Sequence, residues 1–284
     1  TGLAFGGNKT RKLEFLLADA RAQGAKTLMT AGAVQSNHCR QTAAAAVRHD
    51  FDCILVLAGE PPDKPSANYL IDQLLGVEVV WANWDSRVDD LHQAFDDAVQ
   101  AGREPYLIPY GGSNPTGAAA YAFAIQELIE QDISPDWIVF PSSSGGTQAG
   151  MVAGAQLLNF SGKILGISVD EPQDVLQTRV AEIASGTADL LGTPTNFQAS
   201  QILVNADYCH AGYGVVTESE IAAIHTFARL EGLLLDPVYT GRAAGGLIDL
   251  IHKGFFSPDE TVLFWHTGGT PGLFADKYRG VVTA

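Results

Sequence analysis

Short runs rich in Val, Ile and Leu alternate with longer stretches of helical spacing along almost the whole chain, and no other feature limits the fold as much. The apolar runs fall at 27–32, 53–59, 78–82, 105–109, 137–143, 163–169 and 261–265. Their near-continuous apolar character predicts strands covered on both faces, as in parallel sheets. Helical patterns lie between them at 11–23, 37–48, 87–100, 115–130, 174–190 and 218–231. The last opens on Thr217 and carries Glu220 three positions on, which predicts a capping box. Repeated β-α units imply an α/β fold with open, mostly parallel twisted sheets, right-handed crossovers and helices on the faces. A chain of 284 residues, 46% apolar, has room for one large or two modest domains of this kind.

The charge balance narrows the partners. Seventeen basic residues stand against 32 acidic ones, a formal net charge of −15. Such a surface repels phosphate backbones and anionic headgroups, so neither nucleic acid nor a membrane is expected as a partner. A small anionic ligand remains compatible, because a pocket carries its own local donors. No apolar run approaches ~20 residues, the length that spans a bilayer. Cys39, Cys53 and Cys209 lie far apart with no CxxC pair, which fits a reducing cytoplasm better than a disulfide or zinc framework. His38, His210 and His266 lack metal-ligand spacing and read as structural, so no metal site is expected. The chain opens at Thr1 and runs almost at once into a motif, so an upstream segment is expected to precede it.

Four strand-end loops are rich in Gly, Ser and Thr: residues 31–37, 110–114, 142–147 and 266–270. In open α/β sheets, ligands bind where strand carboxyl ends meet helix amino ends, so four such loops predict one composite small-molecule site. Ser142-Ser143-Ser144-Gly145-Gly146-Thr147 follows an apolar run and precedes a helix expected to start near Gln148. Converging backbone N–H groups and the helix amino end suit a phosphate there. The loop has neither the Gly-Lys-Ser/Thr ending of a nucleotide loop nor GxGxxG spacing, and it holds no basic residue. A cofactor monophosphate fits it best.

Lys9 follows Gly6-Gly7-Asn8 at the start of a helix. A helix amino end disfavours a nearby cation, and burial would lower the amine's pKa further, both favouring the neutral amine of a Schiff base. With Arg11 and Lys12 beside it, Lys9 reads equally well as a solvated lysine of a basic first turn. Ser36 is either a helix cap or a hydroxyl aimed at a bound carboxylate. Tyr213 and Tyr239 sit in turn-like contexts, where tyrosines commonly pack at a core's rim.

Together these residues resemble a family: the fold-type II, tryptophan synthase β-like pyridoxal-phosphate enzymes of the 1-aminocyclopropane-1-carboxylate deaminase and D-cysteine desulfhydrase group. The matching runs are GGNKTRKLEFL (6–16), AGAVQSNHCRQTAA (31–44), SSSGGTQAGM (142–151), GYG (212–214), LEGLLLDPVYTG (230–241) and HTGGTPGLF (266–274). They follow the family order across essentially the whole chain. The resemblance implies that pyridoxal 5'-phosphate is the cofactor, with Lys9 as its covalent anchor and Asn37 on the ring oxygen. It places Ser144, Gly145, Gly146 and Thr147 on the phosphate and Thr240 on the pyridine nitrogen. Ser36, Tyr213 and Tyr239 would line the substrate side as catalytic groups, with Gln35, Asn37 and Thr267 contacting the substrate.

The resemblance also implies a homodimer and a two-domain layout. Residues 13–117 would form a smaller α/β domain inserted into a larger cofactor-binding domain of residues 1–12, 118–284 and roughly forty upstream residues. Two positions choose between branches. The deaminase branch has an acidic residue after the Asp-Pro-Val-Tyr tyrosine and a bulky aliphatic one in the His-X-Gly-Gly loop. Thr240 and Thr267 occupy those places here and resemble the desulfhydrase branch. A carboxylate keeps the pyridine ring protonated and strongly electron-withdrawing, which cyclopropane opening needs, whereas a hydroxyl suffices when a good leaving group sits on Cβ. The expected reaction is therefore α,β-elimination from a small amino acid, D-cysteine first, giving pyruvate, hydrogen sulfide and ammonia. L-cysteate elimination, true cyclopropane deamination, and a non-catalytic module binding the cofactor or an amino acid are the alternatives.

Overall fold

The computed structural model describes residues 2–283 as two four-stranded sheets with helices packed around them. In the first sheet, β1 (Thr27–Ala33), β2 (Asp52–Ala58), β3 (Glu78–Ala82) and β4 (Pro105–Leu107) lie in the order β3-β2-β1-β4. The chain winds around it through α1 (Asn8–Ala22), α2 (Asn37–Arg48), α3 (Ala67–Leu74), α4 (Arg87–Gln100) and α5 (Pro115–Glu130). The second sheet holds β5 (Trp137–Ser142), β6 (Lys163–Ser168), β7 (Leu203–Asn205) and β8 (Val262–Phe264) in the order β7-β6-β5-β8. Its helices are α6 (Gly146–Leu158), α7 (Gln173–Leu190), α8 (Glu218–Glu231), α9 (Thr240–His252) and α10 (Asp276–Val282). Every strand pairing is parallel, as the β-α alternation predicts.

The central strands are buried on both faces. Leu28, Leu55 and Leu57 pack with Leu13, Leu16 and Ile108 under the first sheet. Under the second, Ile138 and Phe140 pack against α5 and α6, and Val139, Leu165 and Ile167 against α9. Each buried Leu or Ile contributes roughly 1.5–3 kcal/mol, so these layers dominate stability. The two halves meet where α5 packs on both α1 and α6. Small residues permit the closest approach: a Cβ at Gly150 would lie 1.9 Å from the Ala118 carbonyl oxygen.

α2, α4, α5 and α8 begin and end where the apolar spacing predicts, and the Thr217 amide donates to Glu220 at 2.9 Å within the expected capping box. Other features differ from expectation: α3 and α10 lie outside the predicted helices, and α1 starts three residues before its predicted point. β7 is only three residues long, too short for a periodicity to register. α6 starts at Gly146, two residues before the expected point. The Asp-Pro-Val-Tyr run is not simply a turn, because it launches α9. Asp236 accepts the amide N–H groups of Val238, Tyr239 and Thr240 at 3.0, 3.0 and 2.8 Å and so caps a helix whose first residues include Gly241.

Candidate active site

The carboxyl ends of β1, β4, β5 and β8 open on one cavity, and each of the four Gly/Ser/Thr loops lines it. Lys9 enters from α1. The chain reaches it through Gly7, whose φ of +126° belongs to the region that favours glycine and whose absent Cβ leaves room for Gln41, 2.8 Å away. Gln41 of α2 then caps α1 from outside: its Oε1 accepts the Thr10 amide N–H at 3.0 Å and the Thr10 hydroxyl at 3.1 Å. On the opposite side the Asn8 amide donates to the Thr267 carbonyl at 3.0 Å. The Lys9 amine lies 5.7 Å from the centroid of the Tyr239 ring. Burial pushes it down to about 8, against the attraction of Asp236 and with help from Arg40. An amine so tuned loses its proton far more readily than a surface lysine.

The facing wall is the loop after β5. Ser144 and Gly145 lead into α6, with Gly145 at φ +82°. Asn8 donates its Nδ2 hydrogen to Thr147 Oγ1 at 3.0 Å, tying this wall to the Lys9 turn. The Ser113 hydroxyl donates to Ser144 Oγ at 2.8 Å and accepts the Gly146 amide N–H at 3.2 Å. Behind Ser113 stands Lys12, only 1% exposed, its Nζ donating to Gly111 O at 3.0 Å and Ser113 Oγ at 3.1 Å. Burial, with Lys9 nearby, drives the Lys12 pKa well below that of an ordinary lysine. The alternative of a solvated first turn is thus not formed: Lys12 is buried, and Arg11 is paired with Glu127. The Ser142–Thr147 loop, which holds no basic residue itself, has a buried lysine immediately behind it.

The third wall comes from α2. Ser36 caps this helix by accepting the Cys39 amide at 3.1 Å and also lines the cavity, so both readings of it are compatible. Asn37 Oδ1 accepts from Asn68 Nδ2 at 2.9 Å and Arg40 Nη1 at 3.3 Å, which leaves its amide hydrogens to face a ligand. His38, expected to be structural, lines the cavity as well. Its Nε2 lies 2.9 Å from Thr30 Oγ1, whose own proton goes to the Ile108 carbonyl at 2.9 Å. Nε2 must therefore donate, and Nδ1 is left as a buried acceptor with no protein partner. Burial, with Lys9 and Lys12 nearby, keeps this imidazole neutral. Ser142 Oγ is a second buried polar atom on the lining without a partner. Orphaned polar atoms around a cavity with a helix amino end are what a polar, phosphate-bearing guest would satisfy.

The structure brings together Lys9, Ser36, Asn37, Ser144, Gly145, Thr147, Tyr239 and Thr267. Gly146 supplies the first turn of α6 behind them. Tyr213 faces an adjoining cavity, which shares Tyr110, Ser143 and Ser144 with the first, and its hydroxyl meets that of Tyr239 at 2.7 Å. Two expected residues are not brought to the cavity. Gln35 turns towards α3, donating to the Ser66 carbonyl at 3.1 Å and accepting the Asn68 amide at 3.0 Å, so both ends of its side chain are used. Thr240 is fully buried, its hydroxyl accepting the Asp236 amide at 2.7 Å and donating to Asp236 Oδ1 at 2.8 Å. Lys12 and Gln41 escaped the sequence reading, and Tyr110 and Ser113 entered it only as part of the 110–114 loop. Only Lys12 carried a usable signal there, since spacing of i, i+3 puts it on the same helix face as Lys9.

Residues 2–268 match the family described as "Pyridoxal-phosphate dependent enzyme", and the chain belongs to it. Pyridoxal phosphate is accordingly its cofactor, and the cavity's donor set fits that molecule. The chain is 41% identical over 288 residues to a D-cysteine desulfhydrase of Yersinia pestis, covering 97% of this chain and 86% of that one. It is 40% identical over 281 residues to a Pyrococcus abyssi protein provisionally named for 1-aminocyclopropane-1-carboxylate deaminase, covering 96% and 83%. The crystal structure of an ACC deaminase homologue superposes with a TM-score of 0.90 at 36% identity, covering 99% of this chain and 85% of that one.

Proposed function

We propose that this protein catalyses α,β-elimination from a small β-substituted amino acid, with D-cysteine as the preferred substrate and pyruvate, hydrogen sulfide and ammonia as products. The observation that carries this reading is the placement of Lys9 and Tyr239 on one cavity, with the Tyr239 hydroxyl bonded to that of Tyr213 on the adjoining one. Pyridoxal phosphate, when bound, withdraws electrons from the substrate Cα and makes its proton acidic. Lys9 would hold the cofactor and, as a readily deprotonated amine, would move the Cα proton. Ser36 and Asn37 orient the substrate carboxylate and the cofactor ring, with Thr267 beside them, while Ser144, Gly145, Gly146 and Thr147 hold the phosphate. Burial keeps Tyr213 and Tyr239 protonated, which leaves the Tyr239 hydroxyl as a hydrogen-bond donor for the departing sulfur.

Thr240 supports elimination over ring opening. Position 240 offers a hydroxyl whose proton goes to Asp236, and the Asp236 carboxylate already accepts three amides, so no free acidic side chain follows Tyr239. The same reading takes residues 13–117, which contain the whole first sheet, as a smaller domain inserted in the larger one. It also has the chain working as a cytoplasmic homodimer. Among the described residues no helix is long and apolar enough to cross a membrane.

The test is a steady-state assay against D-cysteine, L-cysteine, L-cysteate and the cyclopropane amino acid, with sulfide, sulfite and 2-oxobutyrate measured separately. D-cysteine should give the fastest turnover. Lys9→Ala should lose activity by on the order of 10³-fold or more and lose the cofactor absorbance near ~420 nm. Equal or faster turnover of the cyclopropane substrate would move the enzyme to the deaminase branch. A loaded protein with no spectral response to any amino acid would make it a binding module.

A further inference from the structure

Two consecutive residues of α2 grip the turn that carries Lys9. Gln41 holds its far side through Thr10. Arg40 holds its near side, donating through Nη2 to the Gly6 carbonyl at 2.5 Å. Through Nη1 the same guanidinium donates to Asn68 Oδ1 at 2.9 Å and Asn37 Oδ1 at 3.3 Å. One planar fork thus joins the Lys9 turn to the residue whose amide hydrogens face the cavity.

This arrangement is expensive for the fold. Arg40 and Asp72 are both fully buried, yet Arg40 Nε and both Asp72 carboxyl oxygens have no hydrogen-bond partner. A buried guanidinium bonded only to neutral groups loses its hydration without the return of a direct ion pair. A methionine or leucine of similar length would fill the space at lower cost. What such a side chain could not do is fix Gly6, Asn37 and Asn68 at once.

We propose that Arg40 is a positioning residue for the cofactor site, locking the Lys9 turn and the cavity-facing amide of Asn37 into one rigid unit. The inference rests on the reading of Lys9 as the cofactor anchor. Without the fork, Gly6 and Asn37 lose a charge-assisted donor, the Asn37 amide is held by Asn68 alone, and the Lys9 turn keeps only its bonds to Gln41, Thr267, Thr147 and Tyr121.

The experiment titrates pyridoxal phosphate into cofactor-free parent, Arg40→Lys and Arg40→Gln proteins, following absorbance near ~420 nm and Tm. Arg40→Gln should bind the cofactor at least about tenfold more weakly and show a diminished band, the loss expected for removing charge-assisted hydrogen bonds. Arg40→Lys should recover part of the affinity, because it restores the charge but not the fork. The double variant Arg40→Gln, Asp72→Asn removes both buried charges, and the same criterion applies to it where Arg40→Gln alone does not accumulate. A folded glutamine variant with affinity within about twofold of the parent and an unchanged band would overturn the proposal. A parent protein that develops no ~420 nm band would instead sink the reading of Lys9 itself.

Discussion

Arg40 and Arg242 are both buried guanidiniums that reach for backbone carbonyls, and they are satisfied in opposite ways. Arg242, 2% exposed, pairs with Glu220 through Nε at 2.7 Å and donates to the carbonyls of Val169, Gly212 and Val215 at 2.5, 3.1 and 2.7 Å. It holds the loop that carries Tyr213, with each of its three nitrogens donating. Arg40 holds the loop that carries Lys9 with no carboxylate in contact and its Nε idle. Burial, opposed by Asp72 and Asp236, lowers even this guanidinium to about 10. The saturated arginine stabilises its half of the molecule. The unsaturated one leaves its field to act on the Lys9 amine. The contrast separates a side chain that builds the fold from one that tunes a reactive group.

Breaking the carboxylates tests this contrast most strongly. Glu220→Gln should cost roughly 3–5 kcal/mol of stability in denaturant titration, because it strands a buried cation. Burial alone would raise the Glu220 pKa, but the hydrogen bonds from Thr217 and Arg242 bring it below the ordinary value. Its contribution is present above the unfolded value near 4.5 and is lost as pH falls through the lower folded one. Asp72 runs the other way. Burial, against the pull of Arg40, raises it from 3.8 to about 7, so the unfolded chain ionises first and stability drains away as pH climbs between those values. Asp72→Asn should therefore gain on the parent from pH 4 to pH 7, and a loss as large as that of Glu220→Gln would erase the distinction between the two pairs.

A smaller effect is expected in the loop that Arg242 holds. Tyr213→Phe removes the hydroxyl that meets Tyr239 at 2.7 Å. The turnover number should fall by about tenfold to a hundredfold, in line with ~1–3 kcal/mol for a buried group left unsatisfied. Cofactor absorbance should not change, since Tyr213 faces the adjoining cavity. An altered cofactor spectrum would mean that this loop, too, serves the ring.

The mildest test concerns the field on Lys9. Its amine falls from 10.5 to about 8 on folding, so the folded state disfavours the charged form. That penalty is full below pH 8 and fades as pH rises from 8 towards 10.5. Cofactor-free Lys9→Met should accordingly melt higher than the parent at pH 7, by about 2–4 °C for each kcal/mol relieved, and the gap should close in alkali. A gap that does not vary with pH would assign the gain to packing instead.

Much of this could be read in one dimension because it is local. Apolar runs of strand length, the Thr217–Glu220 box and the Pro115 helix start are decided by neighbours in sequence, and the structure returns them within a residue or two. The Ser36 cap and the Gly145-Gly146 start of α6 belong to the same group, since each is set by residues beside it in the chain. Thr240 and Gln35 were misplaced for the opposite reason. Whether a hydroxyl or an amide reaches a cavity depends on competing acceptors, and Asp236 and Asn68 claimed theirs.

By itself the sequence pointed to mostly parallel sheets and four Gly/Ser/Thr loops at strand ends, and the family resemblance added pyridoxal phosphate with Lys9 as its expected anchor. Tertiary structure alone decided how that lysine is held and charged. Gln41 caps a helix 31 residues away, Arg40 reaches back to Gly6 across 34, and Lys12 comes to lie behind a serine 101 positions further on. Burial and long-range hydrogen bonds have no period and no spacing, so these groups acquire their chemistry only once the chain has closed around them.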